Sequence, residues 1–83
     1  MNPEHLAAMA NDIAHFFAAE SDHEAAVNGV SGHLKKFWDP RMRRQIVAYL
    51  RDQGGGELSE LARAGVERLA ELDAATEQAR RAS

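Results

Sequence analysis

The 83-residue chain contains no cysteine. That one absence removes a disulfide frame, a thiolate zinc site, an iron–sulfur ligand and a cysteine nucleophile, and nothing in the composition points to secretion. Large apolar side chains are scarce as well. The 45% hydrophobic content includes sixteen alanines, which leaves twenty-one residues able to anchor a core. No apolar run approaches the ~18 residues of a membrane span, and the first residues lack the basic-then-apolar layout of a signal peptide. A net charge of −3 gives no global attraction to nucleic acid or to acidic lipid. The expectation is one small soluble, cytoplasmic domain, of marginal stability alone or stabilised by a partner.

What is present repeats with a helical period. At 100° per residue, Leu6, Met9, Ala10, Ile13, Phe16 and Phe17 share one arc, with Ala8, Asn11 and His15 opposite. Asn2, Pro3 and Glu4 form a good start for that helix, as cap, first-turn proline and dipole-matched anion. Ser21 and Glu24 have the spacing of a capping box. The second helix they predict carries Val27, Val30, Leu34 and Phe37 on one face, weakened by Gly29 and Gly32 at about 1 kcal/mol each relative to Ala.

Asp39-Pro40 is the sharpest boundary: proline drives the preceding residue out of the helical region, while Asp39 caps a new helix. That helix holds Met42, Ile46, Tyr49 and Leu50 on one arc and ends at Gly54-Gly55-Gly56. A fourth presents Leu58, Leu61, Ala62, Gly65, Val66, Leu69 and Leu72, with Gly65 read as a point of close helix approach. No strand pattern or repeat appears. The expected architecture is all-α, a small compact bundle of about four helices with short connections, forming a single domain over residues 1–75 with a frayed or disordered tail over residues 76–83.

Candidate chemistry is sparse. His5, His15, His23 and His33 have no partner three or four residues away that would place two ligands on one helical face, and they read as solvated surface groups. Ser21, Ser31 and Ser59 sit in cap or turn contexts without a nucleophile elbow. The triple glycine follows a helix and lacks a neighbouring G-K-[ST], so it reads as a helix stop rather than a phosphate loop. No catalytic, cofactor or metal site is assigned to this chain.

Charge is unevenly placed. Residues 1–38 carry five acids and two bases, residues 39–53 two acids and four bases, and residues 54–83 six acids and four bases. Within residues 35–51, Lys35, Lys36, Arg41, Arg43, Arg44 and Arg51 face a single acid, Asp39. Three of these arginines fall in the first turn of the third helix, where the macrodipole disfavours cations by a few tenths of a kcal/mol each. Phe37 and Trp38 stand beside them, and Trp and Arg are enriched at interface hot spots. Arg44 and Arg51 lie opposite the apolar arc of their helix and so are available to a partner. Trp38 has two readings, as an interface anchor or as a staple packed on the Arg43 stem.

The run His33-Leu34-Lys35-Lys36-Phe37-Trp38-Asp39-Pro40-Arg41-Met42-Arg43 resembles the signature of the delta subunit of cytosolic NAD-dependent formate dehydrogenases. So does the first helix, of the Pro-Glu-x-Leu-x-x-Met-Ala-Asn-x-Ile-x-x-Phe-Phe kind, with the glycine-rich turn and Val66-Glu67-Arg68-Leu69 following. The likeness spans about residues 3–72. It implies a small non-catalytic component of a molybdenum- or tungsten-dependent enzyme that oxidises formate, with the metal–pterin, clusters and flavin held by larger subunits. It further implies association with the catalytic (alpha) subunit and support for formation of active enzyme.

The sequence therefore reads as an interaction protein whose partner-binding residues are Lys35, Phe37, Trp38, Arg41, Arg44 and Arg51. Phe37, Trp38 and Arg41 are expected as anchors, with Lys35, Arg44 and Arg51 at a charged rim. The alternative is a small nucleic-acid-binding helical module with the third helix in a groove. A small enzyme in its own right ranks third.

Overall fold

Each helix begins or ends where a particular side chain or glycine takes over an unpaired backbone group. The computed structural model describes residues 2–82 and has four helices: α1 (Pro3–Phe17), α2 (His23–Phe37), α3 (Pro40–Gln53) and α4 (Glu60–Ala82). Met1 and Ser83, the outer ends of the expected domain and tail, lie outside the described residues. The all-α, four-helix expectation holds.

At α1 the Asn2 side chain accepts from His5 N–H at 2.7 Å, with Pro3 at the first helical position. At α3 the Asp39 carboxylate accepts from Met42 N–H at 2.9 Å, and Gly54 ends the helix with φ 80°, its N–H donating to Leu50 C=O at 3.1 Å. That left-handed conformation costs glycine nothing and other residues about 1–2 kcal/mol. The capping box at Ser21 does not form: Asp22 is the N-cap of α2 and makes no side-chain cap hydrogen bond. At α4 the Ser59 hydroxyl accepts from Ala62 N–H at 3.2 Å. The helix runs on to Ala82, residues 74–81 are exposed, and the Thr76 hydroxyl donates to Leu72 C=O.

The α2–α4 pair forms the spine of the bundle, with α1 laid across both and α3 packed on α4 and α1. Gly65 sets the depth of that pairing as the sequence predicts, since a Cβ there would collide with Val30 Cγ1 and lie 2.7 Å from Val30 Cβ. One core joins Leu6, Ala10, Val30, Leu34, Trp38, Ile46, Tyr49, Val66 and Leu69. A fully buried leucine or isoleucine contributes about 1.5–3 kcal/mol, and Leu6, Leu34, Ile46 and Leu69 are all at 0% exposure.

The inner face of α1 differs from the expected arc. Leu6, Ala7, Ala10 and Ala14 are buried, Met9, Ile13 and Phe17 are only partly covered, and Phe16 is 74% exposed. Alanines let α1 approach its neighbours closely, and the helix is rotated so that they, not the phenylalanines, face inward. The same rotation brings Asn11, expected on the outer face, to the α3–α4 loop. There its Nδ2 donates to Glu57 C=O and its Oδ1 accepts from Ser59 N–H, both at 2.8 Å. Phe37 likewise leaves the apolar face of α2, at 66% exposure.

Candidate interaction surface

The turn between α2 and α3 decides where the sequence-predicted residues point. Trp38 and Asp39 are both extended, with φ, ψ of −86°, 140° and −72°, 163°, so the chain reverses in two residues. Trp38 swings into the core at 6% exposure, and Phe37 one position earlier is left facing outward. Trp38, one of the expected anchors, is packed into the core cluster. The aromatic offered to solvent here is Phe37.

Arg43 closes this turn. Its Nη1 donates to Trp38 C=O at 2.8 Å and Lys35 C=O at 3.2 Å, and its Nε to Asp73 Oδ2 at 3.3 Å. A cation on the last carbonyls of α2 satisfies acceptors that the helix leaves free and opposes the dipole's negative end. Asp73 also accepts from Lys35 Nζ at 2.9 Å. One carboxylate of α4 thereby holds both α2 and α3, and the charges of Lys35 and Arg43 are used inside the protein.

Within residues 35–51, three other cations have no carboxylate partner among the described residues: Lys36, Arg41 and Arg44. Arg41 and Arg44 are exposed on the first turns of α3, beside Asp39 and Pro40. Lys36 Nζ stands 5.5 Å from the centre of the Phe37 ring, within cation–π range. Arg51 is also exposed, but it lies at the far end of α3, about 15 Å along the axis from Arg41 at 1.5 Å per residue. It is bonded to its neighbour Asp52, Nε to Oδ1 at 3.0 Å. That hydrogen bond, together with the attraction between the two opposite charges, holds the Asp52 carboxyl below its usual range and raises Arg51. The six predicted contact residues are thus distributed. Phe37, Arg41 and Arg44 are outward at one corner, Lys35 is tied to Asp73, Trp38 is inside, and Arg51 is remote.

Sequence reasoning missed an aromatic row next to that corner. Phe16 and Phe17 meet edge to face at 5.1 Å, Phe17 and His33 at 6.4 Å, and His33 leans on Phe37 at 4.7 Å. Ile13, Phe16, Phe17 and His33 line an open, almost wholly apolar depression of about 340 Å³ between α1 and α2, with Asp12 at its α1 edge. The His33–Phe37 pair is an i, i+4 neighbour on one helix and was legible in principle. The pairing with α1 was not, because it depends on how the two helices are rotated.

Among the described residues no group of three or more His, Cys, Asp or Glu side chains could hold a metal ion, and no helix is long and apolar enough to cross a membrane. Neither the curated proteins nor the solved structures compared with the chain match it. The family model described as NADH-dependent formate dehydrogenase delta subunit, FdsD, matches residues 5–66, a stretch that contains both the α2–α3 corner and the aromatic row. The chain belongs to the FdsD family of NADH-dependent formate dehydrogenase delta subunits.

Proposed function

We propose that this chain is a non-catalytic docking subunit, binding the catalytic subunit of an NADH-dependent formate dehydrogenase in the cytoplasm and supporting formation of the active enzyme. The carrying observation is the α2–α3 corner. Exposed Phe37 stands there with Lys36, Arg41 and Arg44, which have no carboxylate partner among the described residues. An apolar anchor beside unpaired cations, on a turn made rigid by Arg43 and Asp73, is the composition expected of an interface that recognises an acidic surface. The rigidity lowers the entropy cost of binding, because the contact residues are placed in advance.

The test is reconstitution. The purified full chain is added to a catalytic subunit produced without it, and complex formation is followed by size-exclusion chromatography together with formate-dependent NADH production by the assembled enzyme. Co-elution with a gain in active enzyme is expected, and the chain alone oxidises no formate. Absence of a complex at moderate salt, or formate oxidation by the chain alone, contradicts the reading.

A further inference from the structure

The later turns of α4 stand beside the α2–α3 corner and close a cleft with it. Lys35 comes to this cleft from the end of α2, Arg43 and Arg44 from the start of α3, and Asp73, Glu77 and Arg80 from α4. Three helices thus wall a space of about 200 Å³. The α4 wall lies beyond residues 5–66, the stretch that the family model matches, so the family description does not cover it.

Four cations, Lys35, Arg43, Arg44 and Arg80, line the cleft with only two carboxylates, which leaves two positive charges in excess. Both carboxylates already have cationic partners. Asp73 accepts from Lys35 and Arg43, and Glu77 stands 3.9 Å from Arg81, which is not part of the lining. Arg44 has no carboxylate partner among the described residues. The Lys35 ammonium has three donors; two go to Asp73 and to the Thr76 hydroxyl, leaving one for a ligand.

We propose that this cleft binds a phosphate dianion, free or as the end group of a small molecule, held between Arg44 on α3 and Arg80 on α4 with Lys35 at the α2 wall. Size and charge select that group. The space falls below the ~300–1,000 Å³ of a pocket that encloses a whole drug-sized ligand, so it takes one compact group and leaves the rest of a larger molecule in solvent. A single carboxylate would match one of the two excess charges, whereas a phosphate monoester carries about −1.5 to −2 at pH 7 and matches both. Guanidinium forks also pair with phosphate oxygens two bonds at a time, which a pair of ammonium groups cannot do. The proposal goes beyond the docking reading and concerns the chain by itself.

The full chain is titrated at low salt and neutral pH with inorganic phosphate and with glycerol phosphate, binding being followed by calorimetry. Dissociation constants below about 1 mM are expected, with acetate, a single charge, bound at least tenfold more weakly. Glycerol phosphate bound as well as inorganic phosphate, or better, assigns the cleft to the end group of a larger molecule; tighter binding of inorganic phosphate assigns it to the free ion. Arg44 and Arg80 are both exposed, so Arg44→Gln/Arg80→Gln should leave the circular dichroism and melting curve unchanged while lowering phosphate affinity at least tenfold. Arg51→Gln, at the far end of α3, should stay within twofold. The proposal is overturned if neither phosphate binds, if acetate binds as tightly, if the double variant binds as the parent does, or if Arg51→Gln loses as much affinity as the double variant. The catalytic subunit is absent from this titration, so a negative result leaves the docking reading standing.

Discussion

The ring of Phe17 occupies the space that a side chain at Gly29 would need: a Cβ on residue 29 would lie 2.6 Å from Phe17 Cε1. The glycine that weakens α2 as an isolated helix is thus what gives this ring room against α2, where it lines the depression. Gly29→Ala gains about 1 kcal/mol of helix propensity but must displace the ring, an overpacking cost of about 1–3 kcal/mol. Gly32, on the same helix, has nothing within 4 Å of its absent Cβ. The expected result in urea unfolding is that Gly32→Ala raises stability by about 0.5–1 kcal/mol, whereas Gly29→Ala is neutral or destabilising. Equal stabilisation by both would mean that Phe17 does not sit against Gly29.

Adjacent aromatics at the α2–α3 turn are expected to respond oppositely. Trp38 is 6% exposed and Phe37 66%. Trp38→Ala opens a large cavity and costs about 3–5 kcal/mol, a large share of the ~5–15 kcal/mol of a typical domain, so the variant should be largely unfolded at physiological temperature. Phe37→Ala should stay within about 0.5 kcal/mol of the parent and lose affinity for the catalytic subunit instead. Thermal melts of the two variants decide this, and comparable melting temperatures would contradict the placement of Trp38.

Much of the fold was legible because its signals are local. Asn2-Pro3, Asp39-Pro40 and Gly54 each act on backbone groups within four residues, and each does what its sequence context predicts. Gly65 was read correctly as a close approach because it falls in the middle of an apolar stripe. The surface was less legible, since a periodicity argument weights large side chains and assumes they turn inward. On α1 the inward face is made of Ala7, Ala10 and Ala14 around Leu6, and Phe16 is left outside. The same reasoning put His33 among solvated histidines, although it lies between Phe17 and Phe37. The roles of Lys35 and Arg43 were hidden for another reason: their partner, Asp73, is on a different helix and far away in sequence.

Asp73 is expected to be the acid whose removal is felt at the corner. Asp73→Ala leaves Arg43 with two carbonyl bonds and Lys35 without a carboxylate. The side chains of Arg43 and Asp73 are 18% and 32% exposed, so this pair is only partly screened, while the Lys35 pair, at 37% and 32%, is closer to a surface bridge. Together they are worth about 1–2 kcal/mol. Denaturant melts should show that loss for Asp73→Ala and a change within about 0.5 kcal/mol for Glu77→Ala, whose bridge to Arg81 spans 3.9 Å on an exposed helix end. An Asp73→Ala variant as stable as the parent would remove the proposed bracing of the turn.

The most direct test of docking through the α2–α3 corner is the affinity for the catalytic subunit of three full-length proteins: the parent, Arg41→Glu/Arg44→Glu, and Arg51→Glu. All three positions are exposed, and Arg51 lies more than a Debye length of about 8 Å from Arg41, so it controls for the loss of positive charge itself. Measured by isothermal titration at 0.15 M salt, the double variant should bind at least tenfold more weakly and lose most of the salt dependence shown by the parent, while Arg51→Glu stays within threefold. An unchanged dissociation constant for a folded Arg41→Glu/Arg44→Glu protein would contradict the account.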